Sequence, residues 1–433
     1  MTSAAQNELM TRVEPGTPAG ALLRRYWQPV ALSDELKGKR PVRPVTVFGE
    51  SLVLFRNEGG RLGLIARNCA HRGADLFFGR LEDGGLRCPF HGWLFDVQGR
   101  CLETPAEPLD SKLNERVTHA AYPVVEKNGV IFGYLGEGDP PALPNLDCLA
   151  APESHSFAFK GFVDCNWLQV LEVGMDPAHA SYLHRFLEDE NVSQGYGQQF
   201  RDDVDNIPTT RLMRDYARPE ILVEETGFGY QATTLRRLDN QGMHVRITNA
   251  IFPTAIQIPM SREMTITQWH VPVDDKRCYW YAIFTSFGAP VDHDTMRAQR
   301  LELYALPDYI PRVGKANNYG YDADEQVNYT YTGMGQDINI HDQWAVESQG
   351  TIQDRVKETL GTSDVVISAY RKRFVKEMRA HQKGEASPVR ADHPFPISID
   401  AIASVDEWED VGLERDLARR KGSDWASALM PLT

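Results

Sequence analysis

The chain has 433 residues, 42% hydrophobic and 24% charged, a length for two domains and a composition for folded ones rather than disorder. Acidic residues outnumber basic ones 60 to 46, a formal charge of −14, which argues against wrapping a nucleic-acid backbone. No run approaches the ~20 apolar residues of a membrane-spanning helix, and the opening MTSAAQNELMTRVEPG lacks the charged–apolar–small order of a secretory signal, so a cytoplasmic protein that engages neither nucleic acid nor membrane is expected.

In chain order, Gln6 to Arg25 predicts a short helix interrupted near Pro15 and Pro18. From Val42 to Tyr134, short β-rich runs (VTVFG, LVLFR, LGLIA, GVIFGYL) alternate with Gly-containing turns, as in a small antiparallel domain. Gly136 to Asp147, rich in Pro and Gly, reads as a linker. NWLQVLEVGMDPAHASYLHRFLEDE then favours a helix broken at Pro177. Strand-like runs follow: GYQATTLRRL, HVRITNAIFP, EMTITQWHVPV and CYWYAIFTSF. Helical signals return in HDQWAVESQGTIQDR, SDVVISAYRKRFVKEMRAH and Trp408 to Arg420, the rest of the tail being irregular. The pattern is α+β, with a sheet in the middle of the second domain.

Six irregularly spaced cysteines (Cys69, Cys88, Cys101, Cys148, Cys165 and Cys278) suit metal ligation or core filling better than disulfides. Two of them stand in C-x-H-x16-C-x2-H: Cys69 with His71, and Cys88 with His91. Zinc sites usually pair Cys with Cys and His with His. Here each loop offers one thiolate and one imidazole, which suits a [2Fe–2S] cluster with both cysteines on one iron and both histidines on the other. The CPFHGW ending matches the Rieske motif.

A second constellation is Glu172-x3-Asp176-x2-His179-x4-His184. Asp176 and His179 share a helical face, where a carboxylate can fix an imidazole's tautomer. His184 lies off that face, so a π-bulge or a helix end is needed to converge the two rings. Two His and one carboxylate make the facial set of non-haem Fe(II) oxygenases. The carboxylate candidate is Asp342 in GQDINIHDQWAVESQG, with Asp337 and His341 as competitors; Asp342 is preferred because it opens a helical stretch with Glu347 five residues on, although an N-cap Asp would look the same.

Together these motifs, with EPGTPAGALLRRYWQPVAL and PMSREMTITQWHVPVDD, resemble the α subunit of a Rieske non-haem iron oxygenase, in the phthalate-dioxygenase-like branch built of α subunits alone. The resemblance implies an all-β Rieske domain over residues 41–150 and a helix-grip-like catalytic domain with a central antiparallel sheet over 151–433, with residues 1–40 a helical segment packed on the latter. It implies Cys69, His71, Cys88 and His91 at the cluster, and His179, His184 and Asp342 at a mononuclear Fe(II). Asp176 matches the carboxylate that links the two centres across a subunit boundary in a homotrimer, with Glu172 in the motif before it. With no G-x-G-x-x-G after a strand, electrons are expected from a ferredoxin or an NAD(P)H-dependent reductase. O-demethylation of a methoxylated, lignin-derived aromatic acid with O2 is the expected reaction. Ring cis-dihydroxylation, or electron transfer with an inactive second domain, are the alternatives. Arg246, Asn249 and Phe252 are the candidate substrate residues; Arg246 and Asn249 have opposite strand parity, so only one can face a pocket, and a guanidinium pairs a carboxylate bidentately. Phe252 and Trp344 are residue types more often found in a core than on a ligand wall.

Overall fold

The computed structural model describes residues 2–189, 203–204, 207–239, 242–385 and 391–430. The first helix, Ala4–Thr11, starts at a capping box between Ser3 and Gln6. Thr17 caps the second, Pro18–Leu23, with Pro18 at its first turn, where a missing N–H costs nothing. Both pack against the long Val365–Gln382 helix of the C-terminal half. The same N-terminal stretch also supplies a strand: Gln28–Leu32 is buried throughout and pairs antiparallel with Val130–Gly133. Apolar residues on both faces favour that β-ladder over the helical segment the resemblance implied for residues 1–40.

The β domain adds two four-stranded antiparallel sheets. One runs Val42–Val47, Glu50–Arg56, Leu62–Ala66 and Ala121–Tyr122; the other runs Arg80–Glu82, Gly85–Arg87, Leu94–Phe95 and Cys101–Glu103. Between them lies a small core of Val53, Phe55, Ile65, Leu86 and Phe95, on which Cys69 and Cys88 also sit.

The C-terminal half is built on an eight-stranded antiparallel sheet. Its order is Ser156–Val163, Cys278–Ser286, Met264–Pro272, Ala255–Pro259, Gly242–Ile251, Gly229–Arg237 and Glu220–Glu225. The eighth strand, Ile399–Ser404, comes from the tail and pairs with Gly242–Ile251, where the sequence suggested irregular chain. The Trp167–Met175 helix lies against the sheet and touches the Ile338–Glu347 helix. The halves are not independent: Phe132 meets Trp269 edge-on at 5.5 Å, and the Phe48 and Gly49 amides donate to the Pro272 and Val273 carbonyls at 3.0 and 2.7 Å. Among the described residues, no helix is long and apolar enough to cross a membrane.

Candidate metal centres and substrate cavity

The Cys69 and Cys88 loops fold alike. Gly73 donates to the Cys69 carbonyl at 2.8 Å and Gly92 to that of Cys88 at 2.9 Å; the Cys69 and Cys88 amides donate to Ala74 and Trp93, both at 2.8 Å. These tight turns need left-handed backbone at Gly73 and Gly92 (φ +74° and +77°), and a Cβ on Gly92 would come within 2.7 Å of Pro105. The arrangement brings His71 and His91 edge to face at 4.5 Å, with Trp93 stacked on His71. Both thiols are buried, as is the Nδ1 of each histidine, which has no hydrogen-bond partner. A buried orphan nitrogen costs about 1–3 kcal/mol. Burial, with Cys88 alongside, pushes the Cys69 thiol up to about 11, so paired thiolates here call for a positive centre. Two sulfurs and two bare imidazole nitrogens fit a [2Fe–2S] cluster bound through Nδ1.

The second site begins at the end of a helix. Asn166 caps Trp167–Met175, accepting from the Leu168 amide at 3.1 Å. The helix stops at Asp176, extended and followed by Pro177. His179 opens a 3-10 turn and His184 follows it. Of the two geometries the spacing allowed, the helix end is the one found. The Asp176 carboxylate accepts the Ala178 amide at 2.8 Å, and its backbone carbonyl, not the carboxylate, accepts the His179 Nδ1–H.

Asp342 lies in the middle of the Ile338–Glu347 helix rather than at its start. Asp337 is the N-cap, accepting from the Asn339 amide at 2.7 Å. The Nε2 atoms of His179 and His184 are 3.2 Å apart, and the nearer Asp342 oxygen is 3.7 and 3.3 Å from them. Ligand atoms of these three residues lie within 4.8 Å of one another. Burial and then the His184 charge hold His179 below the ordinary histidine value. Burial opposes ionisation of Asp342, but His184 and His179 beside it keep its carboxyl below the usual range. Two imidazoles and one carboxylate on one side of a shared point fit the facial Fe(II) set.

Beside the trio is a cavity of about 210 Å³ walled by Ile256, Ile258, Ile266, Met213 and Phe284. Arg246 and Thr248 line it from one face of their strand. The Arg246 guanidinium is braced by the Pro259 carbonyl at 3.0 Å and by Asp400. Asn249 lies on the opposite face, buried and donating to the Ile397 carbonyl at 2.8 Å, so it is not at the cavity. Phe252, past the end of the strand, packs with Tyr26, Tyr370 and Phe374 in the core and is likewise absent from it. Glu172 is also displaced from the site: its carboxylate turns away to accept from Arg355 and Arg371. Sequence reading missed Gln268 and Arg300, which line the cavity, Arg300 lying 3.6 Å from Asp337. The parity that puts Ile266 inward on EMTITQWHVPV also puts Gln268 there; nothing local marks Arg300.

Residues 26–115 match the family described as Rieske [2Fe-2S] domain, and residues 135–413 that described as LigXa C-terminal domain like. The chain is 33% identical to the phthalate 4,5-dioxygenase oxygenase subunit of Pseudomonas putida, over 95% of this chain and 94% of that one. It is 31% identical to the 5,5′-dehydrodivanillate O-demethylase oxygenase subunit of Sphingobium sp., over 89% of this chain and 82% of that one. Its fold is similar to that of dicamba monooxygenase bound to dicamba, with TM-score 0.58, 20% identity, and coverage of 83% of this chain and 99% of that one. The chain belongs to the Rieske oxygenases, as an oxygenase component that pairs a [2Fe–2S] Rieske cluster with a mononuclear iron.

Proposed function

We propose that this oxygenase component O-demethylates a methoxylated aromatic acid, in the manner of a 5,5′-dehydrodivanillate-like biphenyl from lignin, to a phenol and formaldehyde. The observation that carries the reading is the cavity beside His179, His184 and Asp342, apolar on its walls and bearing the Arg246 guanidinium. Apolar walls strip water from an aromatic ring, and one cationic group orients its carboxylate.

When bound, the cluster supplies electrons and the mononuclear iron activates dioxygen. Cys69, Cys88, His71 and His91 would hold the first; His179, His184 and Asp342 would hold the second. Arg246, fixed by Asp400, sets which end of the substrate faces the trio. One oxygen atom enters the methyl C–H bond, the other leaves as water with the supplied electron pair and two protons, and the hemiacetal collapses by C–O cleavage. Oxygenase components of this family work with ferredoxin or reductase partners. We place this one in the cytoplasm as a homotrimer, with Asp176 at the subunit boundary carrying electrons between centres. The assembled trio speaks against an electron carrier with an inactive second domain.

A second reading, cis-dihydroxylation of a phthalate-like ring, is favoured by the likeness to the phthalate dioxygenase subunit. Turnover of methoxylated and of phthalate-like aromatic acids, each with reductase and O2, separates the two. Formaldehyde in step with phenol supports demethylation, a cis-diol supports the second reading, and neither product from iron-loaded enzyme on either substrate class refutes both.

A further inference from the structure

His341 precedes Asp342 and is fully buried. Its Nε2 lies 2.9 Å from the Gly335 carbonyl. A carbonyl oxygen only accepts, so the network assigns the His341 proton to Nε2 and leaves a lone pair on Nδ1. That Nδ1 faces the Nδ1 of His184 at 3.5 Å, the long end of hydrogen-bonding range, with the two rings inclined at 27°. The opposite nitrogen of His184, Nε2, is the one turned to His179 and Asp342. If Nε2 is to present a lone pair there, the His184 proton must sit on Nδ1, and the His341 Nδ1 is placed to accept it. His179 reaches the same state by donating its Nδ1–H to the Asp176 carbonyl. His341 therefore does not compete for the metal: its Nε2 is spent on the Gly335 carbonyl, and its Nδ1 meets the far nitrogen of His184 rather than the converging ligand atoms.

We propose that His341 is a positioning residue for the mononuclear iron, relaying the His184 Nδ1–H to the Gly335 carbonyl and so locking His184 in the tautomer and ring orientation that leave Nε2 bare. Partners of this kind on a ligand histidine raise its basicity and restrict its rotation. The role rests on the reading of His184 as an iron ligand, so the test separates the two. It uses the full chain with its cluster in place and the mononuclear site emptied by mild chelation. Fe(II) is titrated back against a competing chelator, and Co(II) is followed by visible absorption.

His341→Phe keeps a ring of similar size without the acceptor; His341→Asn keeps an acceptor oxygen where Nδ1 stood. The expected result is a loss of about 10- to 100-fold in Fe(II) affinity for H341F, with H341N within about threefold of the parent and the Rieske spectrum unchanged in both. Parent-like affinity in H341F, or equal losses in the two variants, overturns the proposal. Should H341F fail to fold, H341N decides: a parent-like Co(II) spectrum and affinity support the relay, and a tenfold loss overturns it. His184→Ala is the reference. If it still binds Fe(II) like the parent, the ligand reading itself has failed, not merely the relay.

Discussion

Glu172→Ala is expected to damage the fold through a buried charge rather than the reaction through a missing catalyst. The Glu172 carboxylate accepts from Arg355 Nε and Nη2 at 3.2 and 2.8 Å and from Arg371 Nε at 2.6 Å. Without it, Arg371 keeps Glu358, but Arg355, whose side chain is 0% exposed, keeps the neutral Asn7 amide oxygen at 3.1 Å. Stranding one buried charge costs about 3–5 kcal/mol, and the pair left to Arg371 places this case near 3–4. At ~2.1 cal/mol/K per residue, 433 residues unfold with roughly 0.9 kcal/mol/K, so Tm should fall by about 4 °C. The assay is a thermal melt of Glu172→Ala beside the double variant Glu172→Met/Arg355→Met, which removes the charge along with its partner and should regain much of the loss. A single variant melting with the parent, or a double variant melting no higher than the single, would refute a coupled ion network on the Trp167–Met175 helix.

Asp342→Ala should bring iron content from about three to about two per chain and leave the visible Rieske spectrum intact; three irons would remove Asp342 from the ligand set. Arg246→Lys keeps a cation for Asp400 but loses the planar fork. It should raise KM for an aromatic acid roughly tenfold with kcat largely kept, on the scale of a charged hydrogen bond; an unchanged KM puts carboxylate recognition elsewhere. Burial would raise the Asp400 carboxyl, but Arg246 and His244 against it bring it down to about 2 from 3.8. A carboxyl depressed on folding stabilises the protein above its unfolded value, so this contribution, about 2 kcal/mol, should vanish as pH falls from 4 to 2. Asp400→Asn should flatten that limb of a urea-midpoint profile, and an unaltered slope would count against the pairing. Asp176→Asn should retain both metals and chemical reduction of the cluster yet slow oxidation of the cluster in a single turnover; parent-like single-turnover rates would remove Asp176 from the route.

What could be read in advance was whatever is local. The Cys69 and Cys88 loops carry their candidate ligands, glycines and stacking Trp93 within a few residues, so spacing alone suffices to single them out. Pro177 was legible as a helix break, but the spacing left a π-bulge and a helix end open for His179 and His184, and only the structure decides for the helix end. Asp342 was chosen for a reason the structure does not share: Asp337, a better N-cap, starts the helix, and Asp342 owes its position to helix packing. Strand parity separated Arg246 from Asn249, but not Phe252, which lies beyond the regular strand. Glu172 could not have been placed locally, since Arg355 and Arg371 are 183 and 199 residues away in sequence. Likewise Ile399–Ser404 becomes a strand only because Gly242–Ile251 offers it a paired edge.

The two sites turn opposite nitrogens of their histidines inward, and the difference follows from where each ring is anchored. At the Rieske loops the buried Nδ1 atoms of His71 and His91 point inward without a partner, while the rings remain part-exposed at the surface. Ligation through Nδ1 would leave the outer edge of each ring for whatever approaches, which suits a station that receives and hands on electrons. At the mononuclear site the Nδ1 atoms of His179 and His184 are already committed, to the Asp176 carbonyl and to His341, and Nε2 converges on Asp342. Those rings cannot turn outward without breaking an internal hydrogen bond, which suits a station that must keep its geometry while substrate comes and goes. A variant that frees His184 Nδ1 should thus loosen the iron and leave the cluster's colour alone, whereas one that fills the turn at Gly92 should do the reverse, because Pro105 leaves a Cβ no room there.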